Sequence, residues 1–566
     1  MIESIQNTAV AIAGGGPVGM MLALFLDRHG VPSVLFNLEE DARWHPKGST
    51  HNSRTMEHYR RLGIGAKVRA LGLPPAHPTD VAYFTRYNGY ELARIVMPSE
   101  EEKLRAVIAA PRTVQNFEPI HRANQMYVEK LLLERVRARP GIIVRFGWQV
   151  SAFREQEDGV TLDAERVVAD EDRVRATGRH ESWHCAYLVG CDGGQSQVRR
   201  HLDIRYTGHE SLQQDFLGGR MMASYLHAPE LRRCFRGRQA WQHWAVNPAI
   251  RTALVSLNGD DEYLYWTRLA ADAAFDPADV ERGFHLACGF DTPVKVLGHR
   301  SWTAGVALWA ERLWSGHRVF LAGDAVHLFT PTGGFGMNTG IDGAANLAWK
   351  LAAMVQGWGG PRLAQSYEAE RKPIGVRNTT AAQQLAKHVG AVPVDASIEE
   401  ASARGEQARR EAGGYLATFG EEFASIGVQL GARYDGSPLV IEDGAPPRDS
   451  FVSYLPSGVP GGRAPHFFFD PPGMPDRRSL FDCFGIGFTL LRLAHRAAAA
   501  GQDMGPLVEA ARRRGVPLDV VEVCDADARE LYGRDWALVR PDQHIAWRGD
   551  APPADCDALI ARVVGA

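Results

Sequence analysis

Several residues in this chain are spaced to do chemistry. Gly14, Gly16 and Gly19 stand in the string GGGPVG, with Pro17 after the second of them. Gly14 permits a tight turn, Gly16 lets the backbone approach a pyrophosphate, and Gly19 lets a helix pack closely on a strand. Asp192 closes the apolar run of YLVGCDGGQSQVRR (187–200), and Asp324 closes that of RVFLAGDAVHLFTPTGGFGMNTGIDGAANLAWK (318–350). A carboxylate at a strand end accepts hydrogen bonds from a sugar-like chain. A helix starting near Gly336 points its positive end beyond that strand and stabilises negative charge there. His51, with an ordinary pKa near neutrality, suits proton transfer.

These groups need elements to hold them. The opening stretch reads as strand, glycine turn, helix and a second strand ending at Asn37, a βαβ unit for a dinucleotide. Such a unit usually carries an acid where Asn37 stands. An amide offers one acceptor and two donors without charge, so a weaker ribose contact is expected. Alternatively, Asn37 only ends the strand and Glu39 or Glu40 reaches back. On this reading Asn37→Glu tightens nucleotide binding or leaves it unchanged. Asp192 has two readings: ligand contact, or a cap on the following helix. Ile341, Ala344, Ala345, Leu347, Ala348 and Leu351 recur at helical spacing behind Gly336.

At 566 residues the chain exceeds one ordinary core, and about two or three domains are expected. The first third alternates strand-like and helix-like runs. From about 205 to 300 the texture becomes aromatic and alternating, with Asn258-Gly259 as a hairpin turn. An Ala/Glu/Arg-rich helix is expected near 396–412, then a Pro/Gly-rich junction and a small α/β unit. A net charge of -4 gives no sign of a nucleic-acid surface. The seven cysteines form no CxxC pair and no zinc-like spacing, so a reduced, cytoplasmic setting and no metal site are expected. Residues 9–26 are broken by Gly14 to Pro17, and neither a signal peptide nor a membrane span is read there.

The three motifs, in this order and spacing, resemble the signatures of the class A flavoprotein monooxygenases, the aromatic hydroxylases related to p-hydroxybenzoate hydroxylase and phenol hydroxylase. The resemblance implies FAD, NADPH or NADH as co-substrate, and O2. It gives Asp324 the ribityl chain and sets the backbone of Gly336, Met337 and Asn338 against the flavin ring. In "HPKGSTHNSRTMEHYRRLGI" Lys47 matches a basic residue near FAD, often arginine, and in "NQMYVEKLL" Gln125 matches a flavin-contacting glutamine or is merely solvated. Pro331 matches a proline whose carbonyl borders the substrate. Arg199 fits the arginine that commonly follows the Asp192 motif. The stretches PGGRAPHFFF, SLFDCFGIGFTLL and ALVRPDQHIAWRG resemble a thioredoxin-like C-terminal domain, here without CxxC and so with a stabilising or dimer-forming role, making a homodimer one expected assembly.

The implied fold is α/β: a Rossmann-like FAD-binding domain (1–78, 110–204, 301–390), an inserted, mainly antiparallel β-sheet substrate domain (79–109, 205–300), a helical linker (391–430) and a thioredoxin-like C-terminal domain (431–566). The implied reaction is hydroxylation of a phenolic or polycyclic aromatic through a flavin C4a-hydroperoxide. Baeyer–Villiger insertion, epoxidation or ring cleavage are alternatives on the same cofactor, and a non-catalytic flavin sensor or carrier is an alternative of another class. The absence of a second GxGxxG and of WxWxIP argues against a two-dinucleotide reductase and a flavin halogenase. For catalysis the expectations are His51 as base or FAD contact, and Arg220 and Tyr265 as phenolate-orienting groups or plain sheet residues.

Overall fold

The computed structural model describes residues 5–170, 173–209, 219–235, 237–269, 276–304, 306–389, 392–423, 425–493 and 503–566. Parts of the aromatic segment, 210–218 and 270–275, lie outside the described residues.

The first sheet runs Ile142–Phe146, Ser33–Asn37, Gln6–Ala13, Arg173–Gly190, Val160–Asp170, Trp148–Glu155, with Val319–Leu321 also beside Arg173–Gly190. Its pairings are parallel among the first four and Val319–Leu321, as βαβ crossovers require, and antiparallel on the other edge. The helix Pro17–Arg28 starts on a proline, whose fixed φ suits the first helical position. It is apolar almost all round because it is covered twice, by this sheet and by the helix Phe335–Val355. The latter is buried over most of its 21 residues, among them Ile341, Ala344, Ala345, Leu347, Ala348 and Leu351.

The second sheet has the order Lys295–Ala304, Gly219–His227, Glu262–Arg268, Arg251–Ser256, Gln242–Val246, Val81–Phe84, Glu91–Ile95. All its pairings are antiparallel except the one joining Val81–Phe84 to Gln242–Val246. Gly259, at φ +79°, turns the hairpin between Arg251–Ser256 and Glu262–Arg268. Successive side chains alternate faces. Ala223, Trp244, Val255 and Leu264 pack in one cluster, and Leu254, Tyr263 and Tyr265 pack in another against the helix Pro277–Cys288.

Helix Arg362–Val389, polar on average and containing Pro373, gave no signal in the sequence reading. The expected helix near 396–412 forms at Ala403–Ala417 and packs on the strand Glu91–Ile95. The C-terminal sheet has the order Leu518–Glu522, Phe488–Arg492, Trp536–Val539, Ile545–Gly549, with only the first pair parallel, a thioredoxin-like arrangement. One of its faces shares a core with Trp349 and Leu363 of the long helices and with Trp358 in the connection between them.

The boundary between these units also carries buried charge. Asp342 receives Arg54, His58 and Arg371, and Glu370 receives Lys350 and Arg540. No helix among the described residues is long and apolar enough to cross a membrane.

Candidate active site

The glycine turn is closed by the Gly14 amide donating to the Phe36 carbonyl at 2.8 Å. Gly14 has φ +111°, and a Cβ there would stand 2.2 Å from the Cys191 carbonyl oxygen. A Cβ on Gly19 would lie 1.9 Å from the Gly14 carbonyl oxygen, whereas a Cβ on Gly16 meets nothing within 4 Å. Gly16 therefore opens onto space.

That space is a cavity of about 570 Å³ lined by Gly14, Gly16, Pro17, Asn37, Lys47, Gln125, Asp192, Asp324, Pro331, Gly336 and Met337. Asn37 is committed on both sides: its Oδ1 accepts from the Gly15 amide at 3.1 Å and its Nδ2 donates to the Glu39 carbonyl at 3.2 Å. Glu40 is paired with Arg166 at 2.6 Å, while Glu39 lines the cavity. Asp192 Oδ2 caps the next helix, accepting from the Gln197 and Val198 amides at 2.7 and 3.1 Å. Its Oδ1 is buried with no hydrogen-bond partner among the described residues, an acceptor left over at the cavity wall. Arg199 is not at the wall: it is stacked on Tyr206 and donates to the Ile204 carbonyl.

Further along, burial raises the Asp324 carboxyl pKa against the pull of Lys47 and Arg43. Burial lowers the Lys47 ammonium pKa, with Asp324 among the groups opposing it. Gln125 begins its helix at the cavity and donates to Glu129 at 2.5 Å. Helix Phe335–Val355 starts after Gly333 and Gly334, both at positive φ, with no side-chain cap. Its first amides are left to whatever lies beyond Gly336 and Met337. Asn338 does not line the cavity. It clamps it from behind, accepting from the Asn52 amide and donating to the carbonyls of Thr50 and Gly334.

A second cavity of about 520 Å³ adjoins the first, and Arg43, Lys47, Thr50, Asp324, Phe329, Pro331 and Gly334 border both. Four indoles line it, those of Trp241, Trp244, Trp266 and Trp302. Its polar lining includes His45, Gln242, Arg122, Arg300 and Glu422. Arg122 donates to Thr50 Oγ1 at 2.5 Å and lies 3.9 Å from the Trp241 ring centroid.

Three expected catalytic residues are placed elsewhere. His51 is fully buried, its Nδ1 3.1 Å from the Tyr59 hydroxyl and its Nε2 3.1 Å from the Ala123 carbonyl. With both nitrogens engaged and burial lowering its pKa to about 3, it has no free lone pair for a substrate proton. Tyr265 alternates with Leu264 and Trp266 along its strand, so it faces away from the cavity, edge-on to Phe284. Arg220 is exposed at the start of its strand and lines neither cavity. Pro331 does stand at the junction, its carbonyl accepting from the Gly334 amide at 3.0 Å.

The aromatic 205–300 region was expected to wall the pocket, without Trp241, Trp244 and Trp266 being singled out, and Arg43, Arg122, Arg300, Glu422 and Trp302 were missed. The alternations Gln242/Trp244 and Leu264/Trp266 were the available signal for the indoles. The arginines and Glu422 come from distant segments and gave none.

The chain matches the family model for an FAD binding domain over residues 7–382 and that for the C-terminal domain of aromatic-ring hydroxylases over 457–566. The chain is a class A flavoprotein monooxygenase. It is 32% identical to the FAD-dependent monooxygenase apdD of Emericella nidulans, over 100% of this chain and 91% of that one. It is 28% identical to a 2,4-dichlorophenol 6-monooxygenase of Cupriavidus pinatubonensis, over 97% and 94% respectively. Among solved structures, the rebeccamycin biosynthetic enzyme RebC with reduced flavin superposes with a TM-score of 0.85 at 32% identity, over 99% of this chain and 100% of RebC. The flavin-dependent monooxygenase PieE, in complex with FAD and substrate, gives 0.84 at 27%, over 99% of each. As a member of this family the flavoprotein uses FAD, NAD(P)H and O2 to hydroxylate aromatic compounds.

The first cavity fits FAD on its own terms. It offers an open glycine turn for a pyrophosphate, the unpartnered Asp192 Oδ1 and the cavity-lining Asp324 carboxyl for hydroxyls, and a bare helix end for an electron-rich ring.

Proposed function

We propose that this flavoprotein hydroxylates a planar polycyclic phenol bearing an anionic group, held in the second cavity. The observation carrying this is the make-up of that cavity: four indoles, and Arg43, Lys47, Arg122 and Arg300 against the carboxyls of Glu422 and Asp324. Indoles stack on flat rings, and a surplus of cations suits an anion taken out of water.

In this reading Gly14, Gly16, Pro17 and Gly19 form the pyrophosphate turn, with Asn37 bracing it and Glu39 reaching the ribose. Asp192, Lys47, Gln125 and Asp324 hold the middle of FAD, and Gly336 and Met337 face its ring, with Asn338 fixing their loop. Bound FAD supplies the activation of oxygen. The protein contributes binding, orientation and the exclusion of water by the aromatic walls. Pro331 sets the floor between cofactor and substrate.

The proposed division is an FAD-binding unit of 1–78, 110–204 and 301–390, a substrate-binding sheet of 79–109 and 205–300, a helical segment 391–430 that helps to wall the cavity, and the C-terminal unit 431–566. A small aromatic molecule is the proposed partner rather than nucleic acid, in keeping with the net charge of -4. A cytoplasmic setting is proposed on the seven free cysteines, and a homodimer on the size of the C-terminal unit alone.

The test is to purify the yellow holoenzyme and screen polycyclic phenols, with and without a carboxyl group, for faster NAD(P)H oxidation coupled to a ring-hydroxylated product. Preference for the carboxylated member is expected. Equal turnover of uncharged, single-ring phenols would reject the substrate class, and a product with a broken ring would reject hydroxylation.

A further inference from the structure

One carboxyl group in the second cavity has no task in this scheme. Glu422, in the short helix Gly420–Phe423, lines the cavity wall. Its Oε1 accepts from the Gly333 amide at 3.1 Å, which fastens it to the turn that opens the helix Phe335–Val355. It forms no ion pair within 4.0 Å among the described residues. An unpaired carboxylate in such a place is costly, and costly groups in clefts mark chemistry.

The charged and titratable groups around it are few. Arg122, on the strand His121–Arg122, and the Tyr83 phenol, on Val81–Phe84, are close enough to couple to it electrostatically. Arg43, His45, Lys47 and Arg300 line the rest of the cavity, with Asp324 at its floor. Burial pushes the Glu422 carboxyl up to about 7, opposed by the Gly333 amide and by Arg122. A carboxyl poised there is matched to proton exchange near neutral pH.

We propose that Glu422 is the base that takes the phenolic proton of the substrate in this cavity, a role that rests on the phenolic substrate class proposed above. The phenol O–H bond breaks and the proton bonds to the Glu422 oxygen not held by Gly333. The electron pair stays on the substrate oxygen as a phenolate, and Arg122 balances its charge. The ring is thereby made electron-rich at the carbons to be oxygenated.

The experiment uses the FAD-loaded enzyme with 2-naphthol and a carboxylated naphthol as probes. Binding is read from the flavin spectrum and catalysis from kcat for hydroxylated product across pH. In the wild type kcat is expected to fall as pH drops through about 7, because a protonated Glu422 cannot accept the phenolic proton. Glu422→Gln should lower kcat by about 10²–10³-fold and remove that acid limb. Glu422→Asp, which keeps the carboxyl, should restore most of the rate and an acid limb. Either a rate within about twofold of wild type or an unchanged acid limb in Glu422→Gln would overturn the role while leaving the substrate class intact. If neither naphthol perturbs the flavin spectrum of the wild type, the substrate class fails and the proposal falls with it. If Glu422→Gln does not hold FAD, the wild type decides: a kcat that does not fall between about pH 8 and about pH 6 overturns the proposal.

Discussion

Arg463 of the C-terminal unit closes a two-pronged ion pair on Glu57 of the FAD-binding unit, Nε to Oε2 at 3.0 Å and Nη2 to Oε1 at 2.5 Å. Both side chains are 1% exposed. Arg54 donates to the same Glu57 at 2.7 Å and to the Asp542 carbonyl, so the two units share one buried set of charges.

Arg463→Met should leave Glu57 short of a partner and cost about 3–5 kcal/mol of stability, the usual penalty for breaking a buried pair from one side. Denaturant unfolding followed by tryptophan fluorescence measures it. A midpoint unchanged from wild type would mean that the pair does not hold the units together.

The glycine turn separates two effects that a sequence motif merges. Gly16→Ala should fold normally, because its Cβ meets only open space, yet weaken FAD binding by about 10-fold or more as the methyl enters the phosphate path. Gly19→Ala should reduce the melting temperature as well, because its Cβ would stand 1.9 Å from the Gly14 carbonyl oxygen. Equal melting temperatures for the two variants would contradict this assignment.

Asn37 reverses the expectation drawn from its residue type. Its amide spends both ends within the turn, so a glutamate would bring a carboxylate against the Glu39 carbonyl and lose a donated hydrogen bond. Asn37→Glu should weaken FAD binding by about fivefold, corresponding to about 1 kcal/mol. Equilibrium dialysis of FAD reads the change, and tighter binding would restore the simpler view of this position.

Acid should destabilise this flavoprotein above the ordinary carboxylate range, the several buried histidines outweighing the opposite contribution of the raised Glu422 carboxyl. Burial lowers the pKa of His51 to about 3 and those of His58 and His544 to about 4. The unfolded chain takes up these protons near the ordinary value of about 6.5, and the folded chain refuses them. Stability is therefore complete above about pH 6.5 and is lost as pH falls toward about 4. Melting temperatures between those limits should fall steadily, and less steeply in His51→Gln, which cannot titrate. A flat profile would show that these rings are protonated in the fold.

The glycine turn, Asp192 and Asp324 were legible in the sequence because local geometry dictates their residue types: a positive φ, an open approach, a strand end. The sequence left Tyr265 between a phenolate contact and a plain sheet residue, and the structure favours the second, because alternation reveals that neighbours face opposite ways, not which face is the cavity. His51 was misread because its partners, Tyr59 and the Ala123 carbonyl, come from other elements. Glu422 and Arg122 lie far apart in the chain and meet only when the helical segment 391–430 folds over the second sheet. That segment, read as a linker, supplies cavity wall.

Helix Phe335–Val355 runs for about 30 Å, with its first turn at the wall of the first cavity and its last turns in the core shared with the C-terminal sheet. A genetic screen that scores only loss of yellow colour would therefore collect lesions at both tips of this rod, and a bleached mutant at Trp349 would say nothing about contact with the pigment.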